Sequence, residues 1–213
     1  MKQGARAEYR ACEIESLADG RVSFSLETPV GALGISMKLL GRHNVMNAVA
    51  SAAVALEAGA GLDHVKRGLE SALPVQGRLS ALEGLGGALI LDDSYNASPN
   101  SFRAAIDVLA SFPGQQILIT GDMKELGNES RQAHQSVGEI AKRAGVGLLW
   151  AVGEYASLVV ETFGEGGVVF EDQQSLVEYA SRQLDADSVV LVKGSREAKM
   201  ERVVNDLRRG EEA

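Results

Sequence analysis

The stretch GALILDDSYNASP, residues 87–99, decides the fold. An apolar run reads as a strand, ends on two aspartates, and passes through Ser94-Tyr95-Asn96 into a helical pattern. Two other stretches repeat the arrangement: ILITGDMKELG (117–127) and VVLVKGSR (189–196). In an open parallel sheet, strand-to-helix turns open on one rim, and ligands bind there. The three polar turns are therefore expected to line one mouth.

Working outward, strands are expected near 88–92, 116–120, 147–151, 167–170 and 188–192, alternating with helices through to residue 208. That alternation is the signature of a doubly wound α/β layer. A hairpin made of LSALE, GLGG and ALILD (79–92) leads into it. Ahead of residue 80 the period differs. AEYRACEIE, RVSFSLET and GALGISMKL alternate between Ala7 and Leu39, with turn signals at Ala18-Asp19-Gly20 and Thr28-Pro29. They read as an antiparallel meander. A helix from about Asn44 to Ala58 follows, stopped by Gly59 and Gly61, and a second starts at Asp63 as N-cap and ends before Pro74. The expected fold is α/β: a mostly parallel doubly wound sheet over residues 81–213, preceded over residues 1–80 by antiparallel strands and two helices.

Composition bounds the function. Among 213 residues, 45% are apolar and 23% charged, as in a soluble chain of one or two domains. No apolar run is long enough to span a bilayer, and no signal-peptide pattern opens the sequence. The single Cys12 excludes an internal disulfide and fits a reducing compartment, so the expected location is cytoplasmic. A net charge of -8 argues against nonspecific nucleic-acid binding, so any anionic ligand must be met by local cations.

The polar residues suggest what binds. From Val45 to Leu56 nearly every residue is apolar or Ala, which predicts a helix buried on most sides. Asn44, Asn47 and Ser51 interrupt it on one stripe. Either Asn44 caps the helix and Asn47 bonds a neighbouring loop, or Asn47 offers its amide to a heterocycle such as adenine. His43 is a ligand contact or a helix-entry residue. Arg78, flanked by Gly77, is a surface arginine or a phosphate contact. Asp92 and Asp93 point to opposite faces, and one of them suits ribose hydroxyls at the rim. Tyr95 and Asn96 supply a flat surface and an amide for a base. The alternative is that Asp93, Ser94 or Ser98 caps the helix whose first turn holds Pro99. Lys193, Arg196, Lys199 and Arg202 recur at three-residue spacing; Lys193, Ser195 and Arg196, at a strand end and helix start, suit an anion. Asp122 lies in a strand-end turn, Lys124 and Glu125 are placed to pair with each other, and His134 to cap or cover the same mouth.

Other chemistry is not signalled. G-x-x-x-x-G-K-[ST], G-x-G-x-x-G and G-x-S-x-G do not occur, and one cysteine with three scattered histidines gives no zinc pattern. The residues GRHNVMNAVASAA, QGR, DDSYNASP, GDMKELG and KGSR, in this order, resemble the Mur ligases. The resemblance runs from about Leu40 to Leu207, and DDSYNASP with GDMKELG and KGSR is its most specific part, whereas H-N-x-x-N is general to the family.

The resemblance implies a cytoplasmic, ATP-dependent ligase of peptidoglycan precursor synthesis. Its expected substrates are UDP-N-acetylmuramoyl-tripeptide, activated as an acyl phosphate, and D-Ala-D-Ala, whose amine attacks. It further implies that Asn47 contacts adenine, Arg78 the ATP phosphates and Asp93 the ribose, with His43, Asn44, Tyr95 and Asn96 beside the nucleotide. Lys193, Ser195 and Arg196 would stand near the reacting carboxylate and the incoming dipeptide, with Asp122 on the substrate side. The family joins a UDP-binding N-terminal domain, a central ATPase domain and a C-terminal Rossmann-like domain. Residues 1–80 would be the tail of the central domain and 81–213 the C-terminal domain. The P-loop, the magnesium ligands and a modified lysine would lie in a missing half, which leaves this chain inactive alone. Ser98 stands where Asn is usual, and Glu197-Ala198-Lys199 where Gly-Met-Arg is. Alternatives are another Mur-type or polyglutamate-type amide ligase, a stand-alone nucleotide-binding module, and a non-catalytic interaction protein.

Overall fold

The computed structural model describes residues 7–208, which fall into two compact units divided between Pro74 and Val75. The first unit opens with β1 (Arg10–Ser16), β2 (Arg21–Thr28) and β3 (Gly31–Leu40), an antiparallel sheet in sequential order. Alternation along β2 sends Val22, Phe24 and Leu26 inward, where they meet Ile35 and Met37 of β3. Two helices cover that face: α1 (His43–Glu57) and α2 (Leu62–Ser71). The buried residues of α1 are Val45, Ala48, Val49 and Ala52, a stripe at helical spacing.

This corrects three expectations. Helix α1 is buried on one stripe rather than on most sides: Met46 is 68% and Val54 72% exposed. Alanine is a strong helix former wherever it points, so a run of it overstates burial. Asn44 is not the cap, because the helix begins at His43 and the cap position, Arg42, makes no side-chain cap bond. The cap of α2 is Gly61; Asp63 sits instead in the first turn, where a carboxylate complements the helix dipole.

The second unit is a six-stranded sheet. Its strands are β4 (Ser80–Glu83), β5 (Leu89–Asp93), β6 (Gln115–Thr120), β7 (Leu148–Val152), β8 (Gly167–Phe170) and β9 (Ser188–Lys193). The order is β4-β5-β9-β6-β7-β8; β4 forms an antiparallel hairpin with β5, and the other pairs are parallel. The helices between them are α3 (Pro99–Leu109), α4 (Ser130–Arg143), α5 (Ala156–Phe163), α6 (Gln173–Gln183) and α7 (Glu201–Leu207). The chain steps away from β5 through β6, β7 and β8, then returns to insert β9. Right-handed crossovers therefore put α3–α5 on one face and α6–α7 on the other. Accordingly α4 packs on both α3 and α5, and α6 packs on α7.

The alternation of the strands matches. Ile90, Ile117, Ile119, Val190 and Val192 join Leu176, Ala180, Val203 and Leu207 beneath α6 and α7. The intervening Leu91, Leu118, Leu149 and Leu191 are fully buried on the other side. Strands buried on both faces read as unbroken apolar runs, which is how they appear in the sequence. Among the described residues no helix is long and apolar enough to cross a membrane.

Candidate functional site

The return of β9 between β5 and β6 brings the three polar turns together. In register, Asp93 lies opposite Lys193, and Lys193 opposite Thr120, so DDSYN, KGSR and TGDM leave the sheet side by side. The Lys193 ammonium donates to Asp93 Oδ2 at 2.5 Å and to the Asn96 carbonyl at 2.9 Å. It is only 1% exposed. Burial holds its pKa below the ordinary lysine value; the Asp93 carboxylate opposes that fall, and Arg78 adds to it.

The adjacent aspartates serve different ends. Asp92 is buried and accepts from Gly77 N at 3.1 Å, Ser94 N at 3.1 Å and Ser94 Oγ at 2.6 Å. It thereby ties the segment before β4 to the end of β5. Tyr95 N returns a bond to Gly77 O at 3.0 Å. Gly77 has φ +76, and a Cβ there would lie 3.1 Å from Tyr95 Cβ, so the close approach and the backbone angle both call for glycine. These contacts set the Arg78 guanidinium 4.4 Å from the centroid of the half-exposed Tyr95 ring, a cation–π arrangement. Ser98 caps α3 in a reciprocal box with Ser101, and Pro99 occupies the first turn. Capping thus falls to Ser98, leaving Asp93 to the lysine.

In GDMKELG, Gly121 N donates to Lys193 O at 2.9 Å, and Ser195 N to Asp122 O at 2.9 Å. The Asp122 carboxylate is buried and accepts from Glu154 N at 3.0 Å and Tyr155 N at 3.1 Å, at the entry to α5. Both of its oxygens are therefore committed within the protein. Lys124 lies 3.4 Å from Asp122 and 3.6 Å from Glu154, so it pairs with these rather than with Glu125. Desolvation works to lower the Lys124 pKa, but the two carboxylates outweigh it and the net shift is upward. Below the turn, added Cβ atoms at Gly121 and Gly194 would fall within 2.7 and 2.6 Å of the Met200 side chain. Glycine at both places lets the two turns lie against each other over Met200.

KGSR does not run directly into a helix. Residues 196–198 form one 3₁₀ turn, Lys199 is left-handed at φ +51, and α7 starts only at Glu201. The expected helix start at Ser195 is corrected accordingly: its N–H is already bonded to Asp122 O, and the three-residue spacing of the cations does not map onto one helical stripe. Arg196 is exposed and paired with Glu201 at 3.1 Å. The Ser195 hydroxyl is buried and has no partner. A buried hydroxyl without a partner costs free energy.

His43, Asn44 and Asn47 belong to the first unit. Asn44 Nδ2 donates to Leu40 O at 2.9 Å, Asn47 Nδ2 to Asn44 Oδ1 at 3.0 Å, and Ser51 Oγ to Asn47 O at 2.8 Å. The stripe thus finds partners at the end of β3 and along its own helix, and His43 and Asn47 are exposed.

His134, expected to cap or cover the mouth, bonds Met123 of the GDMKELG turn, whereas Asp92 and Ser94 as backbone anchors and Tyr155 beside that turn escaped prediction. Their partners are separated by up to 33 residues and carry no local signal. Among the described residues, no group of three or more His, Cys, Asp or Glu is placed to hold a metal.

Residues 77–196 match the family described as Mur ligase, glutamate ligase domain. The chain is 41% identical over 205 residues to the UDP-N-acetylmuramoyl-tripeptide–D-alanyl-D-alanine ligase of Escherichia coli K12, covering 95% of this chain and 45% of that protein. Its fold is similar to MurF from Acinetobacter baumannii, with TM-score 0.86 and 34% identity over 94% of this chain and 44% of that one. It is also similar to the MurF ligase of Thermotoga maritima in complex with ADP, with TM-score 0.81 and 25% identity over 93% of this chain and 45% of that one. The chain therefore spans less than half the length of the relatives it matches. The rim of Asp93, Lys193 and Gly121 lies wholly within the matched segment, and the chain belongs to the Mur ligase family.

Proposed function

We propose that this chain is the acceptor-side part of an ATP-dependent amide ligase that joins D-Ala-D-Ala to UDP-N-acetylmuramoyl-tripeptide in cytoplasmic peptidoglycan precursor synthesis. The first unit would complete a central ATPase domain and the second would be the C-terminal ligase domain, with its start at Val75 rather than at the expected residue 81. The observation that carries the reading is the convergence of Asp93, Lys193 and Gly121 on one sheet edge, joined by the bonds Lys193–Asp93 and Gly121–Lys193.

The residues fit a nucleotide. Tyr95 offers a half-exposed ring held by Arg78, whose guanidinium keeps donors for a phosphate. Asp93, fixed by Lys193, suits ribose hydroxyls. Asn96 adds an amide next to the Tyr95 ring. Taken by itself, the first unit presents the exposed amide of Asn47, which suits an adenine edge, with His43 and Asn44 at the same helix start. ATP supplies the phosphoryl group that activates the tripeptide carboxylate. The chain's own residues would then orient the two substrates: Arg196, exposed, suits an anionic carboxylate, and the turn from Gly121 to Gly127 would border the entering dipeptide. Lys193 and Asp122 act through the groups they hold. Magnesium accompanying ATP would be held by ligands other than the described residues, among which no group of three or more His, Cys, Asp or Glu is placed for it.

The test is an assay with ATP, UDP-N-acetylmuramoyl-tripeptide and D-Ala-D-Ala. The chain is supplied alone or with the half that carries the P-loop. Phosphate release that needs both halves and the dipeptide is expected. Robust release by the chain alone, or release indifferent to the dipeptide, would refute the proposal. A screen of other dipeptides and amino acids separates it from related amide ligases.

A further inference from the structure

His134 is 2% exposed and lies on α4, away from the strand ends, yet it reaches the middle of the GDMKELG turn. Its Nε2 is 2.8 Å from Met123 N, and its Nδ1 is 2.7 Å from Ser130 O. A backbone N–H can only donate and a carbonyl oxygen can only accept. Nε2 is therefore the bare, accepting nitrogen, Nδ1 carries the hydrogen, and the ring is neutral. The 3.9 Å between Nε2 and Asp122 Oδ1 is consequently not an ion pair, because the lone pair on Nε2 already faces Met123. The Tyr155 ring stacks on the imidazole, with centroids 4.4 Å apart and planes 17° from parallel. Tyr155 N is itself one of the two donors to Asp122.

The turn is thus held from three sides. Asp122 is fixed by the entry to α5, its carbonyl by Ser195 N, and Met123 by the imidazole. Beyond Met123 the chain passes through Glu125 at φ +64, a conformation unfavourable to a non-glycine residue unless its surroundings impose it. The histidine bond is the fixed point just before that residue. It determines where Lys124 and Glu125 stand on the rim.

We propose that His134 is a positioning residue for the Gly121–Gly127 turn, acting as a neutral acceptor that presets this turn for the amine-bearing substrate. The inference rests on the ligase reading given above for its substrate, though not for its geometry. The test has two parts. In the full chain, long-range ¹⁵N–¹H spectra of His134 are expected to show the Nδ1–H tautomer. Amide exchange at Met123, Glu154 and Tyr155 should accelerate at least about tenfold in His134→Phe and return toward wild type in His134→Gln, whose amide oxygen can accept from Met123 N. In the ligase reconstituted with the half that carries the P-loop, His134→Phe should raise KM for D-Ala-D-Ala about tenfold while KM for ATP stays within about twofold, and His134→Gln should recover most of the loss. An Nε2–H tautomer, equal rises in both KM values, or a glutamine variant as impaired as phenylalanine would overturn the proposal. If the wild-type ligase turns over with a different amine, the substrate reading fails; the tautomer, the exchange rates and the KM split for that amine then decide the role of His134.

Discussion

Removing the Asp93 carboxylate should cost the second unit more than its partial exposure suggests. In Asp93→Ala the Lys193 ammonium keeps the Asn96 carbonyl but loses its counter-charge, while remaining 1% exposed. Breaking a buried pair from one side costs about 3–5 kcal/mol, because the remaining charge is stranded. Lys193→Met strands only Asp93, whose side chain is 14% exposed and can be hydrated, so about 1–3 kcal/mol is expected. The double variant should lose less than the sum, by about 2 kcal/mol. The pH dependence has a definite sign. The folded Lys193 pKa lies below the ordinary 10.5, so in the window beneath 10.5 the unfolded chain binds more protons and stability rises with pH. Asp93 is the influence that raises this pKa, so removing it widens the window downward. The loss in Asp93→Ala should therefore shrink between pH 7 and pH 10. Urea titration followed by fluorescence of Trp150, the one tryptophan of the chain and a buried residue of β7, reads this unit directly. A loss under about 1 kcal/mol at pH 7, or the same loss at both pH values, would show that the pair is not the anchor of the rim.

Further outcomes are expected. Asp122→Ala leaves Glu154 N and Tyr155 N without an acceptor, and the same urea titration should show a loss of roughly 2–4 kcal/mol. The Lys124 pKa, measured by NMR, should fall in the same variant. Gly138→Ala puts a Cβ 2.3 Å from Val159 O, where backbone must move and α4 must part from α5. A loss of about 3 kcal/mol is expected, whereas Gly68→Ala in α2, with open space around it, should gain about 0.5–1 kcal/mol by calorimetry. Asn47→Ala, on an exposed stripe, should leave stability within about 0.5 kcal/mol yet weaken nucleotide binding by up to about tenfold, as calorimetry with ATP would read.

The architecture was legible because doubly buried strands are written as unbroken apolar runs, and each expected strand of the parallel layer falls within a residue of an observed one. Ser98 was legible as one of three cap candidates, with Asp93 and Ser94, because the N-cap bond is local, spanning the three residues to Ser101. The helix boundaries were less so. At Asn44 and Asp63 a favourable cap residue sits one position inside a helix that starts without a side-chain cap, since tertiary packing can supply what a cap would have added. Partners of buried polar groups were not legible at all. Nothing near Asp122 in sequence announces that its oxygens are filled by N–H groups of residues 154 and 155, and although His134 was expected to cover the mouth, nothing marks Met123 N as its partner.

The KGSR motif shows why proximity along the chain is a poor guide to shared chemistry. Pairing with β5 on one side and β6 on the other buries the end of β9, so Lys193 meets Asp93 instead of solvent. Two residues later the backbone of Ser195 is spent on Asp122, while its hydroxyl stays buried and unpartnered. Only Arg196, past the sheet, reaches the surface. A motif read as one anion site is therefore three consecutive devices: an anchor for Asp93, a clasp on the neighbouring turn, and an exposed cation. Each follows from where β9 enters the sheet. Had β9 been added at an edge, Lys193 would have remained hydrated, and the DDSYN and GDMKELG turns would have stood as neighbours with nothing between them to fix either one.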